Sequence, residues 1–265
     1  MVTSRPPAVA GTFYPAEPDV LRASIHRYLE MARASSAPSE TPPKALIVPH
    51  AGFVYSGPVA ASGYVLLEDA ADRIERVILF GPSHHVPFGG LAVAGHATFE
   101  TPLGSVTIDA ASREQLLRLP YVHVLNEAHH WEHSLEVQLP FLQEVLHGFT
   151  LLPIVVGQSA SKQVAEVLDS CWGGDETLII ISSDLSHYCD YDTARRMDAA
   201  TARAIEALDP PLIRHDDACG RIAVQGLLQA ARRHSLTAST LDLRNSGDTA
   251  GPRDEVVGYG TWAFQ

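Results

Sequence analysis

The stretch RVILFGPSHH, residues 76–85, decides how the rest of the chain is interpreted. Its apolar run ends at a Gly-Pro break, and two adjacent histidines, His84 and His85, follow. A short continuous apolar run of this kind is typical of a strand that is covered on both faces. Similar runs predict three more buried strands, within KALIVPHAG (44–52), FTLLPIVVG (149–157) and TLIIISSDLSH (177–187).

Segments with helical periodicity separate these strands, and strands that alternate with helices favour parallel βαβ units. The predicted helices cover residues 57–69, 109–118, 132–147, 160–171, 192–208 and 220–234. The last part of the chain alternates apolar and polar residues, which predicts strands over 236–244 and 255–264. We therefore expect an α/β protein with a mostly parallel, mixed central sheet flanked by helices. Residues 33–43, which are small, polar and Pro-containing, predict an exposed connection.

Composition excludes several classes of protein. Hydrophobic residues make up 46% of the 265 residues, enough for one large domain or two small ones. The net charge of −12, with no basic run, argues against nucleic acid as a partner. The chain has neither a signal-peptide pattern nor a run of about 18 apolar residues, so we expect a cytoplasmic protein. Three cysteines are too few and too scattered for a disulfide framework.

Histidines follow three of the predicted strands. His50 follows ALIV, His84 and His85 follow VILF, and Asp184 with His187 follows LIII. The carboxyl ends of parallel strands lie at one edge of a sheet, where ligands of open α/β proteins bind. Two histidines and one anionic group on one face are typical of iron and zinc sites, so we predict a metal site here. Strand alternation predicts that only one of His84 and His85 faces it.

The third, anionic ligand has two candidates in the sequence. Cys219 and Gly220 directly precede an amphipathic helix, and the free N–H groups and dipole of a helix start favour a thiolate. Cys219 is therefore a candidate soft ligand, although a small buried apolar role fits it equally well. Asp184 is the competing carboxylate, with loop capping as its structural alternative. No comparable setting exists for Cys171 or Cys189, which we expect to be structural.

A further histidine cluster lies in EAHHWEHSLEVQL, residues 127–139. His129 and His133 have the i, i+4 spacing of the H-E-x-x-H zinc motif, but His130 stands where the general-base glutamate belongs, so that motif is excluded. His133 lies with Glu136 at the start of a helix, where a capping role is the structural alternative. The sequence contains no nucleophile elbow, P-loop or dinucleotide-binding glycine pattern.

Eight motifs, in order along nearly the whole chain, resemble the MEMO family, including the bacterial members described as AmmeMemoRadiSam system protein B. They are AGTFYPAEP (10–18), PHAGFVYSGPVAA (49–61), LFGPSHHVP (79–87), EHSLEVQLPFLQ (132–143), LPIVVG (152–157), ISSDLSHY (181–188), CGR (219–221) and NSGDTAGPRDEVVGYG (245–260). The resemblance implies the fold of class III extradiol dioxygenases, with residues 1–265 forming a single α/β domain.

The resemblance also implies a metal site. Its ligands would be His50 from PHAG, His84 from GPSHH and Cys219 from CGR. Asp184 and His187 would line the same pocket, with His187, and His133 of EHS, as acid/base groups. A thiolate in place of a carboxylate softens the site towards copper or zinc and exposes it to oxidation.

Three functions remain open. The first is a metalloprotein that binds Fe(II) or copper and performs redox or oxygen chemistry on an unknown small substrate. The second is a module that binds a peptide or metabolite, and the third is a zinc-dependent hydrolase. Bacterial members of the family are described beside a radical-SAM protein and an AMMECR1-like protein, so the resemblance implies such pathway partners. A homodimer is also compatible with a chain of this size.

Overall fold

The computed structural model describes residues 3–35 and 41–265. Part of the predicted connection at 33–43 lies outside the described residues. The strands are β1 (Ser4–Arg5), β2 (Ala45–Val48), β3 (Arg76–Pro82), β4 (Leu91–Val93), β5 (Thr98–Thr101), β6 (Gly104–Ile108), β7 (Val122–Val124), β8 (Thr150–Val156), β9 (Thr177–Ser182), β10 (His187–Cys189), β11 (Ala238–Asn245) and β12 (Val256–Phe264). The helices are α1 (Pro18–Ser35), α2 (Phe53–Tyr64), α3 (Ala110–Leu116), α4 (Asn126–His130), α5 (His133–Glu136), α6 (Leu139–Val145), α7 (Ser161–Ser170), α8 (Tyr191–Glu206), α9 (Arg221–Arg233) and α10 (Ser246–Thr249).

The strands form one mixed sheet whose main path is β1-β5-β6-β8-β3-β9-β2-β12-β10. Its centre is parallel, because β8 pairs with β3, β3 with β9, and β9 with β2 in the same direction. The edge formed by β12, β11 and β10 is antiparallel. The predicted α/β fold with a mostly parallel, mixed sheet is therefore confirmed, and β11 and β12 from the end of the chain form part of an antiparallel edge, as predicted. Antiparallel pairing of β5 with β6 and of β4 with β8 was not predicted.

The central strands are covered on both faces. In β2, alternate residues belong to two separate apolar clusters: Leu46 and Val48 face one, and Ala45 and Ile47 face the other. One cluster includes buried residues of α1, α2 and α6, and the other includes residues of α7, α8 and α9. Burial on both faces explains why the strand sequences are continuously apolar.

All the predicted helices are present, with two differences in their bounds, whereas α1, α4 and α10 were not predicted. The end of α1 also covers residues 33–35 of the predicted exposed connection. The segment 132–147 is not one helix, because α5 ends at Glu136 and α6 begins at Leu139. Pro140 in the first turn of α6 has no N–H for a bond to Glu136, which breaks a continuous helix. The predicted helix at 57–69 begins earlier, at Phe53, and continues beyond Tyr64 as a 3-10 helix to Ala70. The short strands β4 to β7 were not predicted.

A buried ion pair attaches the N-terminal segment to the body of the protein. Arg5 and Glu136 are each 0% exposed and lie 2.5 Å apart. The remaining guanidinium nitrogens of Arg5 donate to the carbonyl oxygens of His129 at 2.7 Å and Glu132 at 2.8 Å. The Tyr14 hydroxyl donates to Glu136 at 2.6 Å. The pair therefore has the additional hydrogen bonds that a buried charge needs.

We expect Arg5→Met to lower the free energy of unfolding by about 3–5 kcal/mol, because it leaves the Glu136 carboxylate buried without its partner. Urea titration followed by circular dichroism measures the change. The control is Arg33→Met, which removes an exposed pair with Glu68 and should cost less than about 1 kcal/mol. Equal losses in the two variants would contradict this role for Arg5.

Candidate metal centre

Three imidazoles meet at the carboxyl ends of the central strands. His50 follows β2, His84 follows β3, and His133 begins α5. One ring nitrogen of each lies within 4.8 Å of those of the other two, so the group could hold a metal ion. The predicted convergence of strand ends is confirmed for His50 and His84. His133, predicted as an acid/base residue, belongs to the same three-imidazole group.

The α5 helix start approaches β3 closely at Gly81. A Cβ atom at this position would lie 2.5 Å from the Ser134 hydroxyl, so only glycine permits the approach. Ser134 in turn donates to the Pro82 carbonyl at 3.0 Å. The close contact places His133 beside His84, whose rings stack with centroids 4.5 Å apart.

Hydrogen bonds fix the orientation of the His50 ring. The Ser182 hydroxyl donates its single proton to the Ser134 carbonyl at 2.6 Å. Its other two contacts must therefore donate to it, and these are His50 Nδ1 at 2.9 Å and Gln138 Nε2 at 2.8 Å. His50 consequently carries its proton on Nδ1, and its Nε2 has the lone pair that a metal would need.

Gln138 has only one amide orientation that satisfies its neighbours. Its Nε2 lies 2.9 Å from the Pro49 carbonyl oxygen, which can only accept. Its Oε1 accepts from the Tyr64 hydroxyl at 2.8 Å. Gln138, Ser182 and Tyr64 are all fully buried, so this chain of hydrogen bonds holds the His50 tautomer away from water.

Glu132 orients His84 in the same manner. One carboxylate oxygen of Glu132 lies 2.8 Å from His84 Nδ1, and the other accepts from the His84 backbone N–H at 2.6 Å. Burial opposes ionisation of Glu132, but these bonds from His84 outweigh it and lower the pKa to about 2. An ionised carboxylate only accepts, so His84 Nδ1 carries a proton, and Nε2 is the nitrogen left to bind a metal.

The other two imidazoles are neutral at physiological pH. Burial, with His84 nearby, lowers the pKa of His50 to about 3. Burial and the His50 ring lower the pKa of His133 to about 4. Neutral imidazole with an available lone pair is the form that binds metal. The donor set therefore fits a metal ion.

Cys219 lies next to this group, at the start of α9. Its Sγ is 3.3 Å from His50 Nε2 and accepts from the Asp184 backbone N–H at 3.3 Å. Burial and the Asp184 carboxylate raise the pKa of the thiol to about 12. This outweighs the predicted effect of the helix dipole, so without a bound cation the group is a thiol rather than a thiolate.

Asp184 lies in the loop after β9 and His187 begins β10, and both line the cavity above the imidazoles. Asp184 Oδ1 accepts from the backbone N–H of His50 at 2.7 Å, so it holds the main chain at His50. His187 Nδ1 lies 2.8 Å from the Leu185 carbonyl oxygen, which must accept, so the Nδ1–H is used in this bond and Nε2 has no such partner among the described residues.

The other histidines and cysteines considered in the sequence analysis lie outside the three-imidazole group. His85 is exposed and is not a member of the three-imidazole group. His129 is buried, with Nε2 3.1 Å from the Ala92 carbonyl oxygen, and His130 is exposed. Cys171 is buried and its Sγ donates to the Val167 carbonyl, consistent with a structural role. Cys189 is half-buried.

The cavity above the imidazoles has a volume of about 550 Å³, within the range of small-molecule sites. Four aromatic side chains line it: Phe13, Tyr55, Tyr188 and Tyr259. Tyr188 has a backbone φ of 57°, a conformation that is unusual for a bulky residue, and its side chain lies at the mouth. The arrangement is a cluster of imidazoles that could hold a metal ion, at the base of an aromatic-walled pocket.

Comparison with known proteins identifies the family. The model of the family described as Memo-like protein matches residues 5–263. The chain belongs to the MEMO family. It is 36% identical to a MEMO1 family protein of Aquifex aeolicus over 266 residues, which cover 96% of this chain and 97% of that protein. It is also 36% identical to a MEMO1 family protein of Methanosarcina barkeri over 268 residues, with coverage of 96% and 97%. A MEMO1 family protein of Ignicoccus hospitalis is 35% identical over 285 residues, covering 98% of each chain.

None of the helices in the described part of this MEMO-family protein is long and apolar enough to cross a membrane. Sequence reasoning missed the residues that orient the imidazoles, Glu132, Ser182 and Gln138. Glu132 carried one local signal, because it precedes a helix and its side chain caps the Ser134 N–H. Ser182 and Gln138 carried none, since their partners are remote in sequence.

We expect Glu132→Gln to weaken metal binding about 10- to 100-fold, because an amide neither holds the His84 tautomer nor keeps the negative charge beside it. Competition with a metallochromic chelator measures the dissociation constant. Glu127→Gln, at an exposed position in the preceding helix, is the matched control and should leave the affinity unchanged. An affinity for Glu132→Gln that matches the parent protein would contradict the orienting role.

Proposed function

We propose that this MEMO-family protein binds a redox-active iron or copper ion at the three-imidazole group and uses it in chemistry on a small substrate. The observation that carries the proposal is the orientation of His50 and His84. Their Nδ1–H groups are held by Ser182 and Glu132, so both Nε2 lone pairs remain available where the imidazoles meet. When bound, such an ion supplies electron transfer and the binding of a small molecule such as dioxygen.

Cys219 is our proposed third ligand. Its Sγ is 3.3 Å from His50 Nε2. Ordinary metal–nitrogen and metal–sulfur bond lengths place two ligands of one tetrahedral ion about 3.5 Å apart, so the contact supports shared coordination. His133 is the alternative third ligand, supported by its place in the three-imidazole group. Binding of a cation to the sulfur would release the thiol proton, despite the raised pKa of Cys219.

The protein residues above the group have separate roles in this proposal. His187 lines the cavity with its Nδ1 bonded to the Leu185 carbonyl, so its Nε2 is the nitrogen that would accept a proton from a bound substrate. Asp184 fixes the main chain at His50. If Cys219 is the third ligand, His133 is free to transfer a proton as well. The aromatic walls offer an apolar surface to a bound ligand.

Zinc-dependent hydrolysis is the second candidate. A thiolate with imidazoles is a donor set that suits zinc as well as copper, and an open zinc site activates a water molecule. Non-catalytic binding of a peptide or metabolite is the third, supported by the aromatic-walled cavity alone. The identity of the metal that the protein retains, and the reaction that the protein catalyses, distinguish the redox, hydrolase and binding functions.

We expect protein purified without oxygen to hold stoichiometric iron or copper. His50→Ala and His84→Ala should each lose most of it, because each removes a ligand whose lone pair is already aimed at the ion. Of Cys219→Ser and His133→Ala, we expect the larger loss from Cys219→Ser. Elemental analysis of the parent and the four variants measures occupancy.

His123→Ala and Cys189→Ser, at positions outside the group, are the controls and should retain the metal. Stoichiometric zinc in the parent, with cleavage of simple esters, would support the hydrolase instead. Absence of bound metal after loading would overturn the proposal and leave the binding module. A larger loss from His133→Ala would make His133 the third ligand.

We expect His187→Ala to retain its metal and to slow the reaction with dioxygen or a bound small ligand. His187 is proposed to transfer protons without binding the ion, so its removal should lower reactivity and leave metal occupancy unchanged. Elemental analysis combined with stopped-flow absorbance of the reduced protein tests this. Metal loss with unchanged reactivity of the remaining holoprotein would contradict the assignment.

A further inference from the structure

A second cavity adjoins the metal-centre cavity, and Phe13 lines both. The second cavity has a volume of about 720 Å³ and lies between the start of α1, the start of α2 and the turn at residues 11–15. We use the name distal cavity for it. The Phe13 ring also contacts the metal-centre group, because its centroid lies 4.6 Å from that of His133. One aromatic side chain therefore separates the imidazoles from the distal cavity.

Backbone hydrogen bonds hold Phe13 in this position. Its N–H donates to the Val9 carbonyl at 2.9 Å, and its carbonyl accepts from the Phe53 N–H at 2.7 Å. The turn depends on Gly11, which has a φ of 82° that favours glycine. The main chain is therefore fixed on both sides, while the half-buried ring of Phe13 forms the partition.

The distal cavity has an apolar lining with one cationic residue. Phe53 and Tyr28 are buried in its wall, whereas Val20 and Val54 are 56% and 58% exposed at its rim. Arg27 also lines it, with its guanidinium 5.1 Å from the Tyr28 ring centroid. Within residues 3–35 and 41–265, no carboxylate lies within ion-pair distance of Arg27, although the protein carries a net charge of −12. An acidic group is the complement of such a site.

We propose that the distal cavity is the binding site for the far end of an elongated ligand, whose chain is apolar and ends in a carboxylate. The near end would reach the imidazole group, the chain would pass Phe13, and the carboxylate would pair with Arg27. This inference deepens the proposed function and rests on it for the near end alone. It assigns a substrate class, an apolar chain with an acidic terminus, to a cavity that the metal chemistry does not use.

The first experiment tests the distal cavity in the metal-free protein, so its result is independent of the metal. Sodium octanoate is titrated while methyl carbon chemical shifts are followed by NMR. We expect saturable shifts at Val20, Ala23 and Val54, and none at the exposed Val124. Val54→Glu and Arg27→Gln should each weaken binding at least fivefold. Met31→Glu, an exposed position further along α1, is the control and should not.

The second experiment tests the connection to the metal centre. Zinc-loaded protein is titrated with alkyl hydroxamates of two to eight carbons, whose head group binds metals. We expect affinity to rise about two- to fourfold for each methylene that passes Phe13, because each is transferred from water to an apolar surface. Val54→Glu should abolish the dependence on length and leave acetohydroxamate binding unchanged. Suberic acid monohydroxamate should bind more tightly than octanohydroxamate, and Arg27→Gln should remove that difference.

The outcomes separate this inference from the proposed function. Absent or scattered octanoate shifts overturn the distal site. Octanoate binding together with a flat hydroxamate series overturns the elongated ligand, because the two cavities would then be independent. If acetohydroxamate fails to bind the zinc-loaded protein, the metal proposal fails and the octanoate result still decides the distal site. A dimer that Val54→Glu dissociates in sedimentation velocity would make the cavity an interface between copies, which also overturns the inference.

Discussion

The parallel pairing of β2, β9 and β3 is the constraint on which the rest of the structure depends. Ile47 pairs with Ile181, and Ile181 pairs with Phe80, so the three strands end level with one another. The backbone hydrogen bonds of these strands fix where His50, His84 and Asp184 leave the sheet. A slip of one residue in any strand would move its apolar side chains to the opposite face, and burial on both faces prevents it.

A second layer of hydrogen bonds converts this placement into a usable site. Ser182 donates its only proton to the Ser134 carbonyl, so it has to accept a hydrogen bond from His50 Nδ1. The buried Glu132 carboxylate accepts a hydrogen bond from His84 Nδ1. Glu132 is itself held through its backbone carbonyl by Arg5, whose partner Glu136 binds the N-terminal segment. The N-terminal segment thereby supports both the imidazole group and, through Phe13, the partition between the two cavities.

Most of the fold could be predicted from the sequence, because its central strands and outer helices carry strong periodic signals. The continuous apolar runs predicted β2, β3, β8 and β9, and the alternation near the chain end predicted β11 and β12. Helix α1 was missed, and so were the short strands β1, β4 to β7 and β10. The few residues of these strands carry no period that a local pattern can detect. The break between α5 and α6 was missed although Pro140 signals it.

The sequence by itself determined that histidines follow parallel strands, and it identified the MEMO family through motifs spread along the chain. The assignment of His50, His84 and Cys219 as ligands stays a prediction. Only the tertiary structure decided that His133 joins the imidazole group, that burial keeps the Cys219 thiol protonated when no cation is bound, and that Asp184 accepts from the His50 backbone N–H. The physical reason is that tautomers and pKa values depend on burial and on donors such as Gln138, which contacts Ser182 from 44 residues away along the chain.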